Sequence, residues 1–322
     1  MIRPADVTDL PALIELAEAA LGWPRDDPNE AYVRWKHFEN PAGHSPMWLA
    51  ERDGEPVGFR TFLRWRFRTG DGETVEAVRA VDPATSPAHL RHGIFRQLTL
   101  HGVEQVKAMN IGFVFNTPNA KSQEGYLKMG WQTVGRVPLG VRPRRPTALL
   151  RMIRGGPPAS KWSDPTTFGQ AAPDVLGDSA LVPLLEELRA AADASGRLTT
   201  DRNVAHLTWR YGFGPLCYRA VVAPGGPQNG VAVFRTRKRG EAAESVLCEL
   251  LVRPGDTATA RHLVDEVSRA NDSDYLIAVG RPTRSLLPAP GRGPVLTWRT
   301  ITKTSAPPMA DWDLSMGDVE LL

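Results

Sequence analysis

The sequence predicts an α/β chain (α+β in detail) made of two similar halves, each a mixed, mostly antiparallel sheet flanked by helices. Three observations carry this. Helix-period and strand-period segments alternate from residue 6 to residue 137, the pattern of layered α/β architecture. The order helix, short Trp-basic helix, paired strands then recurs: His206-Leu207-Thr208-Trp209-Arg210-Tyr211 echoes Tyr32-Val33-Arg34-Trp35-Lys36-His37. Between the halves, Val141 to Lys161 is rich in Arg, Pro and Gly, which is linker composition. The expected division is a domain over 1–145, a linker over 146–172 and a second domain over 173–322.

In the first half, apolar residues at Leu10, Leu13, Ile14, Leu16 and Ala17 predict a helix over Asp6–Leu21, capped by Thr8 or Asp9 with Pro11 in its first turn. A short helix follows at Glu30–Phe38. Met47–Arg52 and Pro56–Trp65 read as strands around the turn Asp53-Gly54, and Thr74–Asp82 as a third that runs on to Thr85. Gly93–Met109 is a helix, Ile111–Asn116 a buried strand, Asn119–Met129 a helix and Trp131–Val137 a strand. The second half repeats this with a helix at Ala180–Ala192, strands at Tyr218–Ala223, Gly230–Thr236 and Val246–Arg253, a helix at Ala258–Ala270 and a strand at Tyr275–Val279.

Composition narrows the function classes. At 322 residues, 42% hydrophobic and 23% charged, the chain can bury two cores and implies no disorder. A net charge of +3 does not support nucleic-acid binding. Cys217 and Cys248 lack metal or redox spacing, so the expectation is a reduced, cytoplasmic protein with no metal. The N-terminus lacks a signal-peptide apolar region, and no run is long enough to span a bilayer.

The chemistry concentrates in two segments. His89-Leu90-Arg91-His92-Gly93-Ile94-Phe95-Arg96 joins a strand to a helix. A helix N-terminus offers backbone N–H groups and a positive dipole to an anion. Gly93 lets the backbone approach a pyrophosphate, and Arg91, His92 and Arg96 add donors. Asn119 then heads a helix with Tyr126 near its end, followed by Lys128, Gly130 and Trp131.

These two segments resemble the donor motifs of the GNAT N-acyltransferase superfamily. The first aligns with Gln/Arg-x-x-Gly-x-Gly/Ala at Leu90 to Phe95, with Leu90 in place of Gln or Arg and Phe95 in place of a small residue. The second aligns with Asn-x-x-Ala-x-x-Leu-Tyr-x-Lys-x-Gly-Phe through Asn119, Ser122, Gly125, Tyr126, Lys128, Gly130 and Trp131. The whole chain is similar to the tandem bacterial subgroup, the Eis-like and related actinobacterial proteins. The resemblance implies acyl-CoA, acetyl or longer, as co-substrate, held by Ala84, Thr85, Leu90, Arg91, His92, Gly93, Ile94, Phe95, Arg96, Asn119 and Ser122. It implies that Tyr126 protonates the leaving sulfur, with core packing as the alternative, and that the amide near Thr85 donates to the oxyanion.

The family's base position on the strand falls at Arg79 or Val81, neither of them a base. Asp82 is the nearest carboxylate, on the other face unless a bulge turns it in. His37, His44, His89, His92 and His101 are the other bases available. Trp23 and Trp35 are candidates for the acceptor pocket. The basic run Arg142–Arg154 reads as a solvated linker or as a dock for an acyl carrier protein. The expected activity is acyl transfer to a primary amine of a small molecule or peptide. The alternatives are a carrier-protein-dependent N-acyltransferase of lipopeptide-type biosynthesis and a non-catalytic GNAT-fold binding protein. The second half, without the basic loop or the Asn…Tyr motif, reads as a fold-only copy.

Overall fold

The computed structural model describes residues 1–144, 159–270, 273–280, 286–302 and 305–320. The helical piece expected at Thr147–Ile153 and most of the basic run lie outside the described residues. The chain forms two compact units, Met1–Phe67 with Thr74–Gly135 and Val295–Pro308, and Arg68–Glu73 with Arg136–Pro294 and Met309–Leu322.

Unit 1 contains β1 (Ile2–Pro4), α1 (Leu10–Leu21), α2 (Asn29–His37), β2 (Met47–Arg52), β3 (Glu55–Arg68), β4 (Thr74–Thr85), α3 (Ile94–Val106), β5 (Phe113–Asn116), α4 (Ala120–Lys128) and β6 (Gln132–Arg136). The sheet order is β1-β2-β3-β4-β5-β15-β6, where β15 is Val295–Thr300 from the far end of the chain. Asp9, one of the two expected caps, is the N-cap residue of α1 but makes no side-chain capping bond there. Asp6 accepts from the Thr8 amide and Asp9 returns a bond to the Asp6 amide, a capping box around the 3-10 turn Val7–Asp9. Thr8 and Asp9 therefore belong to the turn, and α1 proper starts at Leu10 with Pro11 in its first turn. One face of the sheet carries α3 and α4 over Trp48, Phe62, Val78, Ala80 and Val114. The other carries α1 over Met47, Leu49, Phe59 and Ala84.

Unit 2 contains β7 (Leu139–Pro143), β8 (Gln170–Ala171), α5 (Ala172–Leu176), α6 (Val182–Ala194), β9 (Leu198–Thr200), α7 (Val204–Tyr211), β10 (Arg219–Val222), β11 (Val231–Arg239), β12 (Ala242–Leu251), α8 (Thr257–Ala270), β13 (Tyr275–Val279), β14 (Leu287–Pro288), β16 (Trp312–Asp313) and α9 (Met316–Val319). Its sheet runs β14-β7-β13-β12-β11-β10-β8, and β9 pairs with β16. The run β10-β11-β12-α8-β13 repeats β2-β3-β4-α3-β5, including a parallel β12–β13 ladder that matches β4–β5.

The units are drawn differently from the expected 1–145 and 173–322. Leu139–Pro143 pairs with Tyr275–Val279 in unit 2, while Thr297–Thr300 pairs with Phe113–Asn116 in unit 1. Each sheet is thus completed by a strand distant in sequence. Residues 159–172, expected as linker, lie in unit 2 and include β8. Arg142, expected as a solvated or carrier-docking cation, is ion-paired with Asp265.

Candidate active site

The site in unit 1 begins where β4 and β5 stop pairing. The parallel ladder joins Ala77–Arg79 to Phe113–Phe115, and β4 runs on to Thr85 while β5 ends at Asn116. β3 is held close to that extension: a Cβ on Gly58 would lie 2.9 Å from both the Ala84 carbonyl and Ile94 Cγ2. Only glycine allows the approach, which ties β4 to the turn that follows it.

That turn passes through Pro87–His89 and enters α3 at Gly93, whose φ is 75°. Arg91 is also left-handed, at φ 65°. No side chain caps the first turn of α3, so its leading amides keep their capacity to bind an anion. Leu90, Arg91, His92, Gly93 and Arg96 are exposed. Ile94 instead enters the core, and half-buried Phe95 packs on the Tyr126 ring at 5.5 Å. Among the residues expected to hold the donor, Ile94 and Phe95 can therefore offer backbone only. Ala84 is buried and Thr85 half-buried.

Asn119 is the N-cap of α4. Its side-chain oxygen accepts from the Ser122 amide at 3.0 Å and from Ser122 Oγ at 3.0 Å. Asn119 thereby fixes the start of the helix whose far end carries Tyr126. Tyr126 is 2% exposed, with Phe95 on one side and Trp131 at 5.1 Å on another. Its hydroxyl accepts from Arg60 Nη2 at 2.7 Å. Sequence reasoning passed over Arg60. The available signal was its place between Gly58 and Phe62 on the α3 face of β3, where a charged side chain has no route to water.

Asp82 has moved to the opposite face. Its φ is 44°, and alternation changes there: Val78 and Ala80 join the α3 core, whereas Ala84 joins the α1 core. The left-handed backbone at Asp82 thus brings its side chain against α2. Its carboxylate meets Lys36 Nζ at 2.7 Å and His37 Nε2 at 3.1 Å, and His37 Nδ1 meets Ser45 Oγ at 2.9 Å. Burial alone would raise the Asp82 pKa. The Lys36 ammonium and the His37 hydrogen bond outweigh it and hold the carboxyl well below the usual carboxylate range. Burial lowers the His37 pKa, opposed only in part by Asp82. The result is an ionised Asp82 and a neutral His37.

Trp23, His37, Asp82, Thr61, Met47 and Phe59 share one small cavity. Trp35 is 6% exposed and packs on Tyr32 at 5.7 Å, away from that lining. His44 packs on Phe38 and His101 on Trp48.

Unit 2 holds a larger cavity, about 560 Å³, beside Leu247–Val252 and the start of α8. The α8 N-terminus is occupied by the Asp256 carboxylate, which accepts from the Thr259 amide at 2.9 Å. A negative cap there repels the phosphates that the open end of α3 can accept. Among the described residues no group of His, Cys, Asp or Glu could hold a metal ion, and no helix is long and apolar enough to cross a membrane.

The family described as acetyltransferase (GNAT) domain matches residues 1–134. No curated protein matches the chain by sequence. Solved structures that match include a GCN5-related N-acetyltransferase from Kribbella flavida, at TM-score 0.64 and 14% identity over 94% of this chain and 72% of that one. Another from Anabaena variabilis ATCC 29413 matches at TM-score 0.63 and 12% identity, over 94% and 73%. Eis1 from Mycobacterium abscessus matches at 0.56 and 13%, over 94% and 74%. Residues 1–134 therefore match the acetyltransferase (GNAT) domain family, and the chain as a whole shares the fold of the solved GCN5-related N-acetyltransferases above.

Proposed function

We propose that the protein transfers an acetyl or longer acyl group from acyl-CoA to a primary amine of a small molecule or peptide. The observation that carries this reading is the uncapped N-terminus of α3, ringed by Arg91, His92 and Arg96, at the end of a strand that has left its parallel partner. The pyrophosphate would rest on the amides from Arg91 to Phe95. The pantetheine arm would run along β4 past Ala84 and Thr85 towards Asn119 and Ser122.

The amine nitrogen would attack the thioester carbonyl, with the Thr85 amide as oxyanion donor. As the C–S bond breaks, Tyr126 would give its proton to the sulfur. The Trp23–Asp82–His37 cavity, about 10 Å³, has room for about one water and would take only the amine proton's path, the acceptor's body lying outside it. Asp82 is too weak a base to take the amine's proton. It would accept the Nε2 proton of neutral His37 in a hydrogen bond, leaving the Nδ1 lone pair as the basic site, reached through the Ser45 hydroxyl. Unit 2, with Asp256 on its helix start, would bind no donor.

Calorimetric titration with acetyl-CoA tests the donor site. The parent should bind, and Gly93→Val should not, because a β-branched residue at φ 75° is strained and its side chain stands at the phosphate position. Equal binding by both would place the donor elsewhere. Release of CoA thiol with a set of primary amines then tests turnover, and no release with any amine would leave only a binding protein.

A further inference from the structure

Arg60 stands on β3 among the aromatic residues of the α3 face. It is fully buried, and Nη2 donates to Tyr126 Oη at 2.7 Å. Nε and Nη1 are buried with no hydrogen-bond partner, and no salt bridge to Arg60 occurs among the described residues. The rings of Phe62, Tyr126 and Phe95 lie 5.2, 5.4 and 5.7 Å from its Cζ. Such ring faces offset part of the cost of dehydrating a guanidinium. They do not neutralise its charge, and a buried cation without a counter-ion is costly. Packing alone would be served better by Leu or Met. Of the other buried cations of unit 1, Lys36 has a carboxylate partner and Arg79 donates to the Thr117 hydroxyl. Arg60 instead spends its one hydrogen bond on the hydroxyl read above as the proton donor.

We propose that Arg60 is a positioning residue for acyl transfer that acts through Tyr126; the inference rests on the reading of Tyr126 as the acid. The Nη2–H occupies a lone pair of Oη and so turns the phenol's own hydrogen away from the guanidinium. In the step itself the amine nitrogen bonds to the thioester carbon, the C–S bond breaks, and its electron pair stays on sulfur. The phenol proton passes to that sulfur, giving CoA thiol and a phenolate. The proton shed by the amine leaves through the acceptor side, and solvent later restores the phenol. Negative charge builds on Oη during the transfer, and the unneutralised guanidinium lies where it stabilises that charge most. A preorganised charge in a dry site exerts this effect without reorganisation.

The test uses the full chain, acetyl-CoA and the fastest amine of the set above, with Arg60→Met, Arg60→Lys, Tyr126→Phe and the double variant Arg60→Met/Tyr126→Phe. Thermal melts confirm folding, and Arg60→Lys serves if Arg60→Met does not fold. Tyr126→Phe should lower kcat roughly 10²-fold or more, the range of a positioned general acid. Arg60→Met should lower kcat about 10-fold or more, a share of that same general-acid factor, with the KM for acetyl-CoA little changed. Arg60→Lys should recover part of the loss. The double variant should be no slower than Tyr126→Phe, because the two losses share one step. An acetyl thioester of a much more acidic aryl thiol, whose thiolate leaves without a proton, should bring every variant close to the parent.

Three results overturn the inference. Full kcat in both Arg60 variants, beside a slow Tyr126→Phe, removes Arg60 and leaves the reading of Tyr126 intact. A double variant slower than Tyr126→Phe by the whole Arg60 factor makes Arg60 independent of Tyr126. Full kcat in Tyr126→Phe defeats the proton-donor reading, and the role of Arg60 falls with it.

Discussion

At Asp82 a single backbone angle, φ 44°, moves a carboxylate from the face that period-2 alternation assigns to it onto the face of α2. The sequence could show the residue and the possibility of a bulge, but not whether one forms. The face is decided by what the side chain gains on each side, and here the gain is Lys36 and His37. Arg60 was hidden for a related reason. A charged residue on a strand reads as solvent-facing, and its place between Gly58 and Phe62 was the one hint that α4 and its tyrosine close over it. The state of His37 gives a test at this scale. The unfolded imidazole titrates at about 6.5, whereas burial holds the folded one lower. Below pH 6.5 the unfolded chain therefore binds the extra proton, and stability falls as pH drops through that window. Asp82 acts at the acid extreme: its stabilisation is present above the ordinary carboxylate pKa and is lost only well below it. Unfolding free energies measured from pH 7 to pH 5 should fall more steeply for the parent than for His37→Gln. Coincident slopes would mean that His37 is charged in the fold. The same neutrality should keep the acid limb of kcat/KM below pH 6.5.

The elements were legible wherever their period is local. Met47–Arg52 and Tyr275–Val279 have the bounds that an apolar run and the turn residues beside it, Asp53-Gly54 and Gly280, indicate. Helix entries were less so, because several capping residues stand together: Asp6, through its capping box, heads the 3-10 turn Val7–Asp9, and Asp9 is the N-cap of α1. The strand Leu139–Pro143 was read in part as linker because Pro138, Pro143 and the arginines around them are poor strand formers. Its partners lie in unit 2, and tertiary pairing overrides that composition. The α4 cap offers a test that separates two duties of one residue. Asn119→Ala removes the acceptor for the Ser122 amide and should cost about 0.5–2 kcal/mol of stability. Asn119→Asp keeps an acceptor at the cap and loses the side-chain NH₂. If Asn119 also holds the pantetheine arm, Asn119→Asp should melt like the parent and bind acetyl-CoA less well, while Asn119→Ala loses on both counts. Parent-like donor affinity in both variants would confine Asn119 to capping.

On the scale of the whole molecule, the tandem repeat was readable but the exchange of strands was not. Pro-Val-Leu-Thr-Trp-Arg-Thr at 294–300 reads as a strand of the half in which it lies, and nothing local says that it joins the sheet of the first half. Its side chains show how much that sheet depends on it. Leu296 and Thr297 are fully buried, Trp298 is 1% exposed, and the Trp298 indole stacks on Phe113 with centroids 3.7 Å apart. Strand β15 lies between β5 and β6, so its removal opens an edge on each. Burying one large apolar side chain is worth about 1.5–3 kcal/mol, and whole domains are stable by only about 5–15 kcal/mol. Losing Leu296, Trp298 and the ladder together should therefore consume most of the margin. A fragment of residues 1–144, which holds every residue proposed to touch donor or acceptor, should lack a cooperative thermal transition and should not bind acetyl-CoA. The exposed edge of β5, Phe113-Val114-Phe115, should make it aggregate. A synthetic peptide of residues 292–302, added during refolding, should restore both the transition and donor binding, because it supplies the missing strand without unit 2. Within the full chain, Trp298→Ala should cost about 3–5 kcal/mol and leave Tyr126 and Arg91 chemically untouched. If residues 1–144 alone fold cooperatively and bind acetyl-CoA as the full chain does, then β15 only covers an edge, and the sheet of unit 1 is complete without it.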